Sequence, residues 1–168
     1  MKLLIIFVIF MICLLAYMFK EDIVFHYKIW NWKKHAKEFN HKVKNELGYR
    51  NDCTGFVSYM WGLSPKLGSE FRDGGGVRIH KRYREMHNIK NWVREIKKEE
   101  LKRGDIIILQ EFHVILFYKW ENKEKTKYCG YEFANIHDAR GFKYFCMKFP
   151  YDNKIRPYSY NYKLYRKK

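Results

Sequence analysis

A chain of 168 residues with 34 Lys and Arg against 18 Asp and Glu, net +16, is long enough for one domain with its own core and too basic to ignore acidic surfaces. Its 47% hydrophobic and 19% aromatic content excludes the disordered class, which lacks the apolar surface to offset chain entropy. The charge excess predicts a partner of opposite sign, whether anionic lipid, nucleic acid or an acidic protein, and does not choose among them.

Residues 3–19 are apolar without interruption, and Lys20, Glu21 and Asp22 follow at once. As an α-helix the run covers about 25 Å, enough for a single membrane anchor with snorkelling flanks. The competing reading is a cleaved signal peptide. That wants a small-x-small cleavage site, and Ala16 has Leu14 where the other small residue belongs. The expected organisation is an anchor over 1–20, an amphipathic juxtamembrane helix over 21–48 and a folded domain over 49–168. Lys2 alone precedes the apolar run, whereas Lys20, Lys28, Lys33, Lys34 and Lys37 follow it, so the positive-inside rule puts the domain of this single-pass protein on the cytosolic side. Cysteine usage agrees. With Cys13 inside the anchor, Cys53, Cys129 and Cys146 remain, an odd number for a disulfide framework.

Phe25, Ile29, Trp32, Ala36, Phe39, Val43 and Leu47 keep the spacing of one helical face, with Lys34, Lys37, Lys42 and Lys44 on others. This predicts one amphipathic helix over 25–48, packed on the domain core, with the lipid surface as its alternative berth. His26, His35 and His41 within it match no metal-ligand spacing.

Asn51 and Asp52 are N-cap residues ahead of a mostly apolar run that Gly62 stops, so a short buried helix begins at Cys53. A thiol on a first turn meets unpaired backbone N–H groups and the positive end of the helix dipole, which favour thiolate. The same N–H groups can hold a developing oxyanion. A cysteine in an aromatic-rich helix is more often packing, so the catalytic reading needs a base elsewhere in the chain.

Residues 68–76 are Gly-rich but lack the GK[ST] ending of a phosphate loop, and read instead as a rim of the cleft. Residues 77–98 interleave His80, Arg82, Arg84, Lys90 and Arg94 with Tyr83, Met86, Ile89, Trp92, Val93 and Ile96. They predict one or two basic helices, the best nucleic-acid or lipid candidate in the chain, although a solvated helix face explains them as well. From Leu101 the period changes. Leu101-Lys102-Arg103-Gly104-Asp105 is turn chemistry, residues 106–109 and 113–120 read as strands, and 121–126 as a charged hairpin loop. Strands are also expected over 127–134 and 142–149, with an edge strand in the aromatic tail 158–162. Helices first and an antiparallel sheet of about 4–6 strands afterwards define an α+β domain.

His113 opens the strand His113-Val114-Ile115-Leu116-Phe117-Tyr118, where a polar residue in an apolar stretch calls for a reason. Asp52-Cys53-Thr54-Gly55-Phe56, then Leu101-Lys102-Arg103-Gly104-Asp105, then His113-Val114-Ile115 together resemble the NlpC-type branch of the papain-like cysteine peptidases, in which Asp-Cys-Ser-Gly-Phe, Leu-x-x-Gly-Asp and His-Val-x-Ile-Tyr occur in that order. The resemblance covers about half the chain, residues 51–133. It implies a thiol hydrolase or acyl transferase acting on an amide, ester or thioester, with Cys53 as nucleophile, His113 as base and the Cys53 N–H at the oxyanion. It implies a third polar residue on the next strand, for which Glu132 is the choice and Asn135 and His137 are alternatives. It also implies an upstream oxyanion-supporting Tyr. Only Tyr49 stands near that position, much closer to the cysteine than in the family, and Thr54 replaces the usual Ser. Asp52 is read as a supporting residue. No cofactor is implied, and Cys129, Cys146 and His137 lack zinc-site spacing, both cysteines reading as small apolar strand residues. The alternative function is a catalytically silent, basic, membrane-tethered scaffold or binding protein, such as a component of a membrane-containing particle.

Overall fold

The computed structural model describes residues 2–36, 38, 40–63, 93–109, 113–136, 139–150 and 162–168. Among these it is an α+β arrangement. Two N-terminal helices, α1 (Lys2–Met18) and α2 (Lys20–His35), lead through a small hairpin, β1 (Asn40–Lys44) and β2 (Arg50–Asn51), into α3 (Cys53–Met60). The strands β3 (Val93–Glu95), β4 (Ile106–Leu109), β5 (His113–Trp120), β6 (Lys127–Ile136), β7 (Ala139–Lys148) and β8 (Tyr162–Lys167) then form one six-stranded antiparallel sheet in the order β3-β8-β4-β5-β6-β7.

Both faces of the sheet centre are covered, which is why β4 reads as the unbroken run Ile-Ile-Ile-Leu instead of an alternating pattern. Ile106, Ile108, Val114, Leu116, Tyr131 and Phe133 meet α2 and α3 on one side. Ile107, Leu109, Ile115, Phe117, Tyr128 and Leu164 pack with Ile96 and Leu101 on the other. Trp32 of α2, fully buried, sits among the rings of Tyr49, Phe56, Tyr59 and Phe133, so α2 belongs to the core that holds α3.

The predicted helix over 25–48 is corrected: α2 ends at His35 and β1 follows. Local turn chemistry overrides the apolar period. The Asn45 side chain accepts from the N–H groups of Leu47 and Tyr49, and Gly48 takes a positive φ of 83°, which closes a hairpin in which Val43 is exposed. Within the basic stretch read as helical, Val93–Glu95 is a strand and Lys98–Glu100 a 3-10 turn. Residues 77–92, the Gly-rich stretch 68–76 and most of the aromatic tail 158–161 lie outside the described residues. The tail contributes β8 from Tyr162 onward. It is no edge strand but lies between β3 and β4.

The cysteine reading also changes. Cys129 and Cys146 are direct partners in the β6–β7 register and form a disulfide, leaving Cys53 and Cys13 as free thiols. The odd-number argument for a reducing compartment falls with that bond, since disulfides persist in oxidising compartments.

α1 is apolar from Leu3 onward, and its large side chains from Leu4 to Met18 are exposed. No single helix among the described residues is long and apolar enough to cross a membrane. α1 and α2 pass that test only as a pair bent by 64°.

Candidate active site

The site is assembled from the first residue of α3 and the facing parts of β5 and β6. Asp52 makes the start of α3 unambiguous. Its Oδ1 accepts from the Gly55 N–H at 2.9 Å and from the Thr54 hydroxyl at 2.8 Å, and its carbonyl accepts from the Phe56 N–H. Its other oxygen takes the Arg50 guanidinium, with Nε at 2.7 Å and Nη2 also in contact. A carboxylate buried without exposure is thereby paired and capped, satisfying donors that would otherwise be orphaned at the helix end. The first-turn N–H groups of Cys53 and Thr54 remain without an intrahelical acceptor, as helix geometry requires.

Gly55 allows this start to lie against β2. A Cβ at that position would fall 1.8 Å from the Arg50 carbonyl oxygen, inside any permitted contact. At the other end, Lys28 Nζ of α2 donates to the Met60 carbonyl at 3.0 Å and Lys167 Nζ of β8 to the Trp61 carbonyl at 2.5 Å. Two ammonium groups thus complement the negative end of the dipole whose positive end faces Cys53.

His113 meets both expected partners. Its Nε2 lies 2.7 Å from Glu132 Oε2, and the Cys53 side chain is close enough to act on its pKa, with Nδ1 the ring nitrogen not engaged by Glu132. Cys53, His113 and Glu132 are 5%, 8% and 3% exposed, so the three groups interact largely out of bulk water. Burial opposes charge on the imidazole, but the hydrogen bonds to Cys53 and Glu132 and the nearby negative charge of both outweigh it and push the His113 pKa up to about 10.

Of the residues named from sequence, Cys53, His113, Glu132 and Asp52 are brought together. Tyr49 is not. Its hydroxyl donates to the Leu63 carbonyl at 2.6 Å, beyond the end of α3 opposite Cys53, and its ring packs on Trp32 and Tyr59. It braces the helix and offers no hydroxyl to an oxyanion at Cys53. The Asn135 side chain and His137 lie outside what is described.

Sequence reasoning missed Arg50, whose only signal was a cation two residues before a buried acid. It also missed what the Leu-x-x-Gly-Asp segment does. Asp105 takes Arg166 of β8 in a bidentate pair, both contacts 2.7 Å, and accepts from the Lys102 N–H, while the Gly104 carbonyl accepts from Trp61 Nε1. The segment locks the C-terminal strand and the end of α3 to the β4–β5 hairpin that presents His113.

No family model, curated protein or solved structure matches the chain.

Proposed function

We propose that this protein is a membrane-anchored thiol hydrolase or acyl transferase of the papain-like, NlpC type, with a Cys53–His113–Glu132 triad. The observation that carries the reading is the buried His113–Glu132 pair, 2.7 Å apart, facing a buried free thiol on the first turn of α3 that acts on the imidazole. Few structural needs explain burying an acid and a histidine together at the start of a nucleophile-bearing helix, whereas acyl-transfer chemistry needs that order.

In the mechanism, the Cys53 thiolate attacks the carbonyl carbon of an amide, ester or thioester. A C–S bond forms, and the carbonyl π pair moves onto oxygen, where the N–H of Cys53 faces it. The tetrahedral centre collapses by expelling the amine, alcohol or thiol, which takes its proton from His113. Water, or a second acceptor in the transferase case, then attacks the acyl-thioester and gives its proton back to His113, restoring thiolate and imidazolium. Glu132 holds the imidazole by Nε2 in the orientation that presents Nδ1 to sulfur and stabilises its charge.

α1 is the anchor in this reading. Its exposed apolar surface has no partner within the described chain, and a bilayer is the solvent that suits it. The lysines after it favour the cytosolic side by the positive-inside rule, and the Cys129–Cys146 bond favours an oxidising compartment instead.

The test is acyl-enzyme trapping. The full chain in detergent, exposed to p-nitrophenyl acetate, should release a stoichiometric burst of nitrophenolate and carry an acetyl group on Cys53 in peptide mass spectra. Cys53→Ala should lose both. Acetylation spread over lysines with no burst would favour the basic, non-catalytic scaffold.

A further inference from the structure

Resting on the anchor reading of α1, we propose that the outward face of α2 is a membrane-interface surface, seated in the headgroup layer of an anionic phospholipid leaflet, so that the domain is docked flat on the bilayer.

α2 carries two opposite faces. Ile29, Trp32 and Ala36 are buried in the core, and Phe25 packs against it. The other side presents Lys20, Ile23, Val24, Tyr27, Trp30 and Lys34, following one another at helical spacing. All are exposed, the four large apolar ones at 45–58%. One isolated exposed apolar residue needs no explanation, but a continuous row of four on a single helix does.

The composition of the row identifies what covers it. Tyr27 and Trp30 touch at 6.0 Å between ring centroids, and Lys34 Nζ lies 5.5 Å above the Trp30 ring. Tyr, Trp and Lys on one stripe are the side chains that partition to a bilayer interface, rings at headgroup level and ammonium groups toward phosphate. The acidic residues of α2 are kept off this row. Glu21 and Asp22 lie toward the domain side, where Asp22 pairs with Arg103. A face with Lys20 and Lys34 and no carboxylate complements a negatively charged leaflet.

Direction supports the same occupant. α2 begins two residues after α1 ends, and the two are bent by 64°. A helix entering the bilayer near its normal is thus followed at once by one turned toward the membrane plane, and the exposed row continues the apolar surface of α1. Because α2 shares its core with α3, seating this face fixes the orientation of the whole site instead of leaving it on a swinging tether.

The test uses the full chain reconstituted into phosphatidylcholine vesicles with and without phosphatidylserine, with lipids brominated near the acyl-chain start as quenchers of tryptophan emission. Flotation with the vesicles reports the anchor separately. The expected result is bromolipid quenching that is stronger with phosphatidylserine, falls at least twofold in Trp30→Phe and is unchanged in Trp120→Phe. Chain that floats but shows equal quenching in wild type and Trp30→Phe would overturn the docking while leaving the anchor intact. So would Trp30 emission that follows protein concentration instead of lipid, which would assign the face to a second copy. Equal quenching on neutral and anionic vesicles would overturn the anionic leaflet as partner, and failure to float would remove the anchor and the docking together.

Discussion

α1 and α3 are both short, strongly apolar helices, and the chain treats them in opposite ways. α3 is buried along nearly its whole length, with its first turn capped by Asp52, its last carbonyls taken by Lys28 and Lys167, and its backbone pressed so close to β2 that Gly55 has no room for a methyl group. α1 has no such fittings: its side chains point outward on all sides and no side-chain cap marks its junction with α2. Composition alone does not separate a core helix from an anchor. The covering and the end chemistry differ: α3 is packed and capped within the domain, and α1 presents its side chains outward.

The widest gap between the two should appear in truncations of aromatic side chains. Trp32→Ala, which empties the contact between α2 and α3, is expected to cost the domain about 3–5 kcal/mol in urea unfolding of the full chain in detergent. Phe10→Ala in α1 should leave that midpoint within about 0.5 kcal/mol and reduce vesicle retention instead. Equal effects on the domain would break the comparison.

Gly55→Ala sharpens it at the backbone. Relief of the clash with the Arg50 carbonyl requires α3 to move off β2, so about 3 kcal/mol of destabilisation is expected. Gly104→Ala, with open space around its Cβ but a φ of 89°, should cost only about 1–2 kcal/mol.

Cys146→Ser opens the loop closed by the Cys129–Cys146 bond and should lower stability by about 2–3 kcal/mol. Dithiothreitol should produce the same loss in wild type and none in the variant. A variant as stable as wild type would mean that the bond contributes nothing to holding the ribbon that carries Glu132.

The last effect is a pH trend. His113 binds its proton more tightly folded than unfolded, so its contribution to stability is complete below its ordinary value near 6.5 and is lost as pH rises through about 10. Stability measured from pH 6 to 10 should therefore show a decline in wild type that is attenuated in Glu132→Gln, where one of the groups raising that pKa is gone. NMR titration of the His113 ring should place its midpoint lower in the variant than in wild type.

The parts legible in sequence were those decided locally. An acid before a first-turn cysteine, β-branched runs over 106–109 and 113–120, and a charged turn over 121–126 each specify their own geometry, and the helix start and the central strands followed from them, whereas the choice of Glu132 as third residue came from the resemblance and not from local pattern. The parts missed depend on residues far apart. Arg166 reaches Asp105 across 61 positions, and Lys167 reaches Trp61 across 106, and neither leaves a periodic trace. The Cys129–Cys146 pairing depends on strand register, which cysteine counting ignores. Helical spacing through Val43 and Leu47 was a coincidence that the Asn45 turn overrode. Tyr49 was assigned by proximity in sequence, whereas its hydroxyl direction is set by packing against Trp32 and Tyr59.

The most direct test of the central claim is the rate of iodoacetamide alkylation at Cys53 from pH 5 to 9, resolved by peptide mass spectrometry, in wild type and His113→Ala. The account predicts rapid labelling well below the ordinary thiol pKa of about 8.5, lost when His113 is replaced. Slow labelling that rises only near that ordinary value, and is indifferent to His113→Ala, would contradict the nucleophile–imidazolium pair.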